Sequence, residues 1–161
     1  MAVDELWSWS ATDLVAAVAS RKISAREAAA SAIQRMREKN PSVNAVVVDL
    51  GDEALRVADE ADAAVARGDS LGLLHGAPVT VKENVDFKGR ANVNGVPAYR
   101  NNIAPDDSPV VANLRKAGAV VIGLTNTPEF SMRAVTENPV HGRTLNPWDS
   151  AVTCGGSSGG A

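Results

Sequence analysis

The apolar positions of the first seventy residues follow the pattern of amphipathic helices around one short strand. A weak capping pair in "SATD" begins a helix at Ser10, and a better capping box in "SARE" begins a second helix at Ser24. We expect this second helix to end before Pro41, because proline lacks an N–H group and clashes with the preceding turn. The residues assigned to the buried faces of the two helices are Leu14, Val15, Val18, Ala29, Ile33 and Met36.

The short run "VNAVVVDL" is β-branched, which predicts a strand buried on both faces. The next run, "DEALRVADEADAAVARGD", is alanine-rich and acidic at its start, and it predicts a third helix that ends at Gly68. Its apolar seam is narrow and suits close packing against a neighbour; the seam consists of Leu55, Ala58, Ala61 and Val65.

After residue 70 the pattern changes to strand, helix, strand. "APVTVKENVDF" predicts a strand that ends at or just past Lys82, the "SP" at 108–109 begins a helix that Gly118 ends, and "AVVIGLTN" predicts a second buried strand. Two strands joined in this way run parallel, and α/β proteins bind ligands at the edge where such strands end. We therefore expect Lys82 and the Thr-Asn pair at 125–126 to open onto one crevice.

Residues 125–161 show little periodicity and are rich in Asn, Pro, Gly and Ser, which predicts loops. Phe130, Met132 and Trp148 argue against disorder, since disordered segments are poor in large apolar groups. A long loop, "KGRANVNGVPAYRNNIAPDD", also lies inside the crossover, and loops of this length are often functional. We expect these loops to be shaped around a site.

Composition narrows the class of protein. The chain has 161 residues, 45% of them apolar, and a net charge of -3, which is typical of a soluble globular domain. Its Lys and Arg residues are dispersed, so we expect no direct nucleic-acid binding; no apolar run reaches membrane-spanning length and no signal peptide is evident. The single cysteine, Cys154, excludes an internal disulfide and fits a reducing compartment, so we expect a cytoplasmic protein.

Histidine and cysteine chemistry is poorly represented. His75 and His141 are the two histidines, and each precedes a glycine in a predicted turn. With one cysteine and no Cys/His spacing, we predict no metal site. The histidines are expected to be loop residues rather than bases, so serine chemistry here would use a lysine.

Lys82 has two interpretations. It directly follows an apolar strand, so it either reaches the sheet edge and is solvated, or lies near apolar surroundings that lower its pKa. In the second case the neutral amine can act as a general base near pH 7. Glu83 and Asp86 would oppose this shift if they faced the lysine.

The run "GGSSGG" at 155–160 has three interpretations. It can be a flexible linker, or an anion-binding loop built from backbone N–H groups, although the lysine and hydroxyl of the P-loop pattern are absent. In the third interpretation, glycine gives the backbone the freedom to aim Ser157 or Ser158 at a neighbouring group.

Four ordered motifs, "LHGAPVTVKENVDFKG", "AGAVVIGLTNTPEF", "GRTLNPWDS" and "GGSSGGA", resemble the N-terminal part of the amidase signature hydrolases. The resemblance runs from about Leu74 to Ala161. It implies an α/β fold with a mixed β-sheet surrounded by helices. The chain would be the N-terminal portion of a single domain, with a helical segment at 1–70, the start of the catalytic core at 71–161, and the remainder absent from this chain.

The same resemblance implies a Ser-Ser-Lys triad. Lys82 corresponds to the base, and Ser157 to the bridging serine, which has a cis peptide bond in the family and also contacts substrate. Ser131, in "PEFSMR", corresponds to a substrate-binding position, with packing of Phe130 and Met132 as the alternative. Lys82 is followed by "EN" where the family more often has "DN", which we expect to leave the role of Lys82 intact. The acyl-forming serine and the oxyanion donors would lie downstream of residue 161.

The implied function is hydrolysis of the C–N bonds of carboxylic amides through an acyl-enzyme, without a cofactor. The implied partners are a small-molecule amide, the rest of the same enzyme, and a second copy in a homodimer. Two alternatives stay open: the amidase subunit of a tRNA-dependent amidotransferase, and a non-catalytic fragment. We expect the 161-residue chain alone to be inactive, and to be aggregation-prone or partly molten, because its strands need further elements to cover them.

Overall fold

The computed structural model describes residues 3–161, with side chains from residue 5 onward. Its main elements, in chain order, are α1 (Ala11–Ala19), α2 (Ala25–Val43), β1 (Val46–Asp49), α3 (Gly51–Arg67), β2 (Pro78–Lys82), α4 (Pro109–Lys116), β3 (Val120–Thr125), β4 (Glu137–Asn138) and β5 (Gly142–Arg143). Short 3₁₀ turns occur at Val3–Ser8, Pro97–Tyr99 and Glu129–Ser131.

Three strands form a mixed sheet in the order β1-β3-β2. The Val120 N–H donates to the Ala77 carbonyl and the Glu83 N–H donates to the Thr125 carbonyl, so β2 and β3 run parallel, as predicted. β1 pairs with β3 in the antiparallel direction. The α/β fold with a mixed sheet is therefore confirmed.

The prediction that β1 is buried on both faces was wrong. All six residues of β3 are buried, whereas the valines of β1 are half-buried and Asp49 is exposed. The reason is position in the sheet: β3 lies between two neighbours, and β1 has β3 as its single strand partner among the described residues. A β-branched run does not distinguish a central strand from an edge strand.

Local capping signals were predicted correctly. Ser24 Oγ accepts from the Glu27 N–H at 3.0 Å, while the Glu27 carboxylate accepts from the Ser24 N–H at 2.7 Å, which is the reciprocal capping box. Ser10 Oγ accepts from the Asp13 N–H in the same way at α1. α3 ends at Gly68, whose φ of 77° lies in the left-handed region that favours glycine.

The end of α2 was predicted incorrectly, because the helix continues past Pro41 to Val43. Pro41 lies in the last turn, so the helix gives up one N–H bond and then ends. The Asn40 side chain secures the chain that follows: its Oδ1 accepts from the N–H groups of Ala45 and Val46, and its Nδ2 donates to the Val46 carbonyl. The helix therefore ends three residues later than we expected.

The chain divides into two compact units. The first contains the residues up to Arg37 together with Leu50–Val79 and Asn113–Ile122, and its core is built from small side chains of α2 and α3 that permit close helix packing. These are Ala25, Ala29, Ala54 and Ala58, which are all at most 2% exposed. The second unit contains Glu38–Asp49, Thr80–Ala112 and Gly123–Ala161. The predicted division at residue 70 stays a prediction.

Candidate active site

Lys82 and Ser157 meet within the second unit. Lys82 is the last residue of β2, and its Nζ donates to Ser157 Oγ at 2.7 Å across a separation of 75 residues in sequence. Both side chains are half-buried. Burial disfavours the ammonium form and lowers the pKa of Lys82 below its ordinary value. The arrangement therefore joins an amine that loses its proton more readily than usual to a hydroxyl that can both accept and donate a hydrogen bond.

The glycine-rich run is a packed loop rather than a flexible linker. The peptide bond between Gly156 and Ser157 is cis. Thr136, which is 1% exposed, brackets the run, because its Oγ1 donates to the Gly155 carbonyl and accepts from the Gly159 N–H, each at 3.0 Å. A side chain would not fit at Gly160, where a Cβ would lie 2.5 Å from the Asn126 nitrogen and 2.6 Å from the Ala45 oxygen.

Asn126 does not open onto a crevice beside Lys82 as predicted. It is fully buried, and its Nδ2 donates to Thr144 Oγ1 at 2.9 Å while its Oδ1 accepts from Asn138 Nδ2 at 2.7 Å. Thr125 is also buried. The loops after β3 fold over the end of the strand and use these polar groups as partners, so the Asn126 side chain organises the loops instead of facing a ligand.

Ser131 lies in a hydroxyl and amide cluster. Its Oγ is 2.9 Å from Thr127 Oγ1 and donates to Asn94 Oδ1 at 3.1 Å. Phe130 and Ser131 both have left-handed backbones, with φ of 54° and 57°. Packing does not explain this segment fully, since Phe130 is 47% exposed and Met132 is 83% exposed. Contact of Ser131 with substrate stays a prediction.

Sequence reasoning missed a pairing between Glu83 and His141. Glu83 is 1% exposed, and its Oε1 lies 2.7 Å from His141 Nε2. The two residues are 58 positions apart, so no local pattern links them. The one available signal was an acidic residue directly after the lysine at the end of an apolar strand. His141 does occupy the predicted turn, between β4 and β5, and 19% of its side chain is exposed.

Within residues 5–161, no three side chains of the His, Cys, Asp and Glu types are grouped so that they could hold a metal ion. The helices of the same range include none with the length and apolar character that crossing a membrane requires.

Comparison with known proteins gives consistent matches. The family model described as Amidase matches residues 27–161. The chain is 63% identical over 156 residues to an indoleacetamide hydrolase of Bradyrhizobium diazoefficiens, covering 97% of this chain and 30% of that protein. It is 38% identical over 152 residues to a glutamyl-tRNA(Gln) amidotransferase subunit of Bdellovibrio bacteriovorus, covering 94% and 31%.

A solved bacterial aryl acylamidase of the amidase signature family superposes with a TM-score of 0.89 at 31% identity, covering 95% of this chain and 32% of that one. The chain therefore spans about a third or less of the length of each of these three proteins.

Proposed function

Because this chain belongs to the amidase family, we propose that the complete protein hydrolyses the C–N bond of a carboxylic amide. The observation that carries the proposal is the 2.7 Å bond from Lys82 Nζ to Ser157 Oγ. Burial lowers the pKa of Lys82, so this side chain reaches its neutral form more readily than an ordinary lysine, and a neutral amine can accept a proton from a neighbouring hydroxyl.

We assign the two residues successive roles in one proton transfer. The attacking hydroxyl gives its proton to Ser157 Oγ as it bonds to the amide carbonyl, and Ser157 gives its own proton to Lys82. When the C–N bond breaks, the proton returns along the same route to the leaving nitrogen, and water then releases the acyl group by the same steps. We place the acyl-forming serine and the oxyanion donors in the remainder of the complete protein. Residues 1–161 alone are expected to be inactive.

Indoleacetamide is the substrate that we propose, because the relative that is 63% identical is named for its hydrolysis. The test measures ammonia release from indoleacetamide by the complete protein and by its Lys82→Ala variant. Loss of the base should lower the rate by about 10²–10⁴-fold. Lys88→Ala is the matched control, since Lys88 is exposed and pairs with Asp106. A loss of less than about tenfold at Lys82 would argue against the triad role.

The amidase subunit of a tRNA-dependent amidotransferase is a second candidate, motivated by the 38% identity to such a protein. We favour the free-standing hydrolase, because the identity to the indoleacetamide hydrolase is far higher. Purification from the native source distinguishes the two. Glutaminase activity that depends on copurifying proteins, without indoleacetamide hydrolysis, would favour the amidotransferase. If the wild-type protein hydrolyses neither indoleacetamide nor glutamine, the result would favour a non-catalytic protein.

A further inference from the structure

We propose that Glu83 and His141 are a positioning pair that fixes the separation of Lys82 and Ser157. The inference rests on the proposed function, because it assigns the pair a task in the same proton transfer. In this proposal, neither residue contacts the substrate or the reacting atoms. They act through the two elements that carry Lys82 and Ser157.

The first of these elements is the end of β2. Glu83 directly follows Lys82, and its N–H donates to the Thr125 carbonyl at 3.0 Å, which holds this backbone to β3. The Glu83 carboxylate is buried, its Oε1 pairs with His141, and its Oε2 has no hydrogen-bond partner among the described residues. Removing the imidazole would leave a buried carboxylate unpaired. We expect Glu83 to move in response, and the adjoining Lys82 to move with it.

The second element is the hairpin of β4 and β5, which holds His141 by its backbone. The His141 N–H donates to Asn138 Oδ1 at 2.7 Å, and its carbonyl accepts from Asn44 Nδ2 at 2.8 Å. Asn138 in turn donates to the buried Asn126 at 2.7 Å. The imidazole is therefore presented to Glu83 by a fixed backbone rather than by a free loop.

The same hairpin holds the loop that carries Ser157. Thr136 directly precedes β4, and its carbonyl accepts from the Thr144 N–H across the hairpin at 2.9 Å. Its side chain binds Gly155 and Gly159 on either side of Ser157. Lys82 and Ser157 are therefore connected in two ways. One is their direct hydrogen bond, and the other runs through Glu83, His141, the hairpin and Thr136. The Glu83–His141 bond is the contact in this second connection that lies next to Lys82.

His141 is the better residue to vary, since 19% of its side chain is exposed and the Glu83 side chain is 1% exposed. His141→Gln keeps a donor at a reach similar to Nε2, and His141→Leu keeps the bulk without a donor. His141→Asn keeps a donor that is too short to reach Glu83. His75→Leu is the control, because His75 is also buried and its Nε2 lies 3.0 Å from the Ala61 carbonyl in the first unit.

In the complete protein, we expect the Leu and Asn variants to lose about tenfold to a hundredfold in kcat, because small displacements of reacting groups are this costly. KM should change by less than about threefold. The Gln variant should stay within about threefold of wild-type kcat, as should His75→Leu. If the pair were purely structural, substituting His141 would lower the melting temperature without separating the kcat of the Leu and Asn variants from that of the Gln variant. The Asn variant decides the question if the Leu variant does not fold.

The inference is overturned if His141→Leu and His141→Asn keep kcat within about threefold of the wild-type value. It is also overturned if His141→Gln loses as much kcat as those two variants do. It is also overturned if the His75 control shows the same loss. Crystal structures of the complete variants give a readout that is independent of activity. The Lys82 Nζ to Ser157 Oγ distance should exceed hydrogen-bond range in the Asn variant and remain near 2.7 Å in the Gln variant. If the wild type hydrolyses no amide, the proposed function fails, and this distance still tests the positioning role.

Discussion

Amide hydrolysis by the complete protein should rise with pH until Lys82 is neutral. An ordinary lysine has a pKa of about 10.4, so roughly 4 in 10,000 such side chains are neutral at pH 7. Burial lowers the pKa of Lys82. At a fixed pH well below the pKa, lowering the pKa by one unit increases the neutral fraction of the side chain about tenfold. Lys82 acts as a base in its neutral form, so kcat/KM should increase with pH. The increase should be about tenfold for each pH unit, and kcat/KM should level off below about pH 10.4.

The measurement is kcat/KM for indoleacetamide between about pH 6 and pH 11, with circular dichroism recorded at each pH to verify that the protein stays folded. Lys82→Arg is the informative variant, because a guanidinium stays protonated throughout this range. It should lose about 10²–10⁴-fold in rate together with the rising limb. The assignment of Lys82 as the base is refuted by a wild-type profile that is flat or falling, by a midpoint at or above the ordinary lysine pKa, or by an Arg variant that keeps the limb.

Two further predictions concern the loop that holds Ser157, measured by denaturant unfolding of the complete protein. Gly160→Ala should lower the free energy of unfolding by about 1–3 kcal/mol, because the new methyl group meets backbone atoms at 2.5 and 2.6 Å; an effect no larger than that of Ser158→Ala, at an exposed neighbour, would contradict this. Thr136→Val should cost about 1–3 kcal/mol, because it leaves the Gly155 carbonyl and Gly159 N–H unpaired in nearly the same shape. An equal cost for Thr12→Val, on the exposed face of α1, would contradict that reasoning.

Elements whose signals lie within a few residues were predictable from the sequence. The Ser24–Glu27 capping box, the end of α3 at Gly68 and the end of β2 at Lys82 all rest on contacts or backbone preferences inside one turn or one strand. The α/β class followed from the strand, helix, strand order, because such a crossover makes β2 and β3 parallel. The end of α2 was missed by three residues, since Pro41 is tolerated in the last turn and the Asn40 side chain holds the chain that follows.

Motifs that occur in a specific order along the sequence also identified Lys82 and Ser157 as site residues. Their catalytic roles stay predictions. Only the tertiary structure decided how close the two side chains lie, that Asn126 is buried, and that β1 pairs with β3 alone among the described strands. It alone revealed the partner of Glu83. The physical reason is sequence distance: bonds that span 58 or 75 residues depend on how loops return to a strand end, and no local preference of either residue encodes that return.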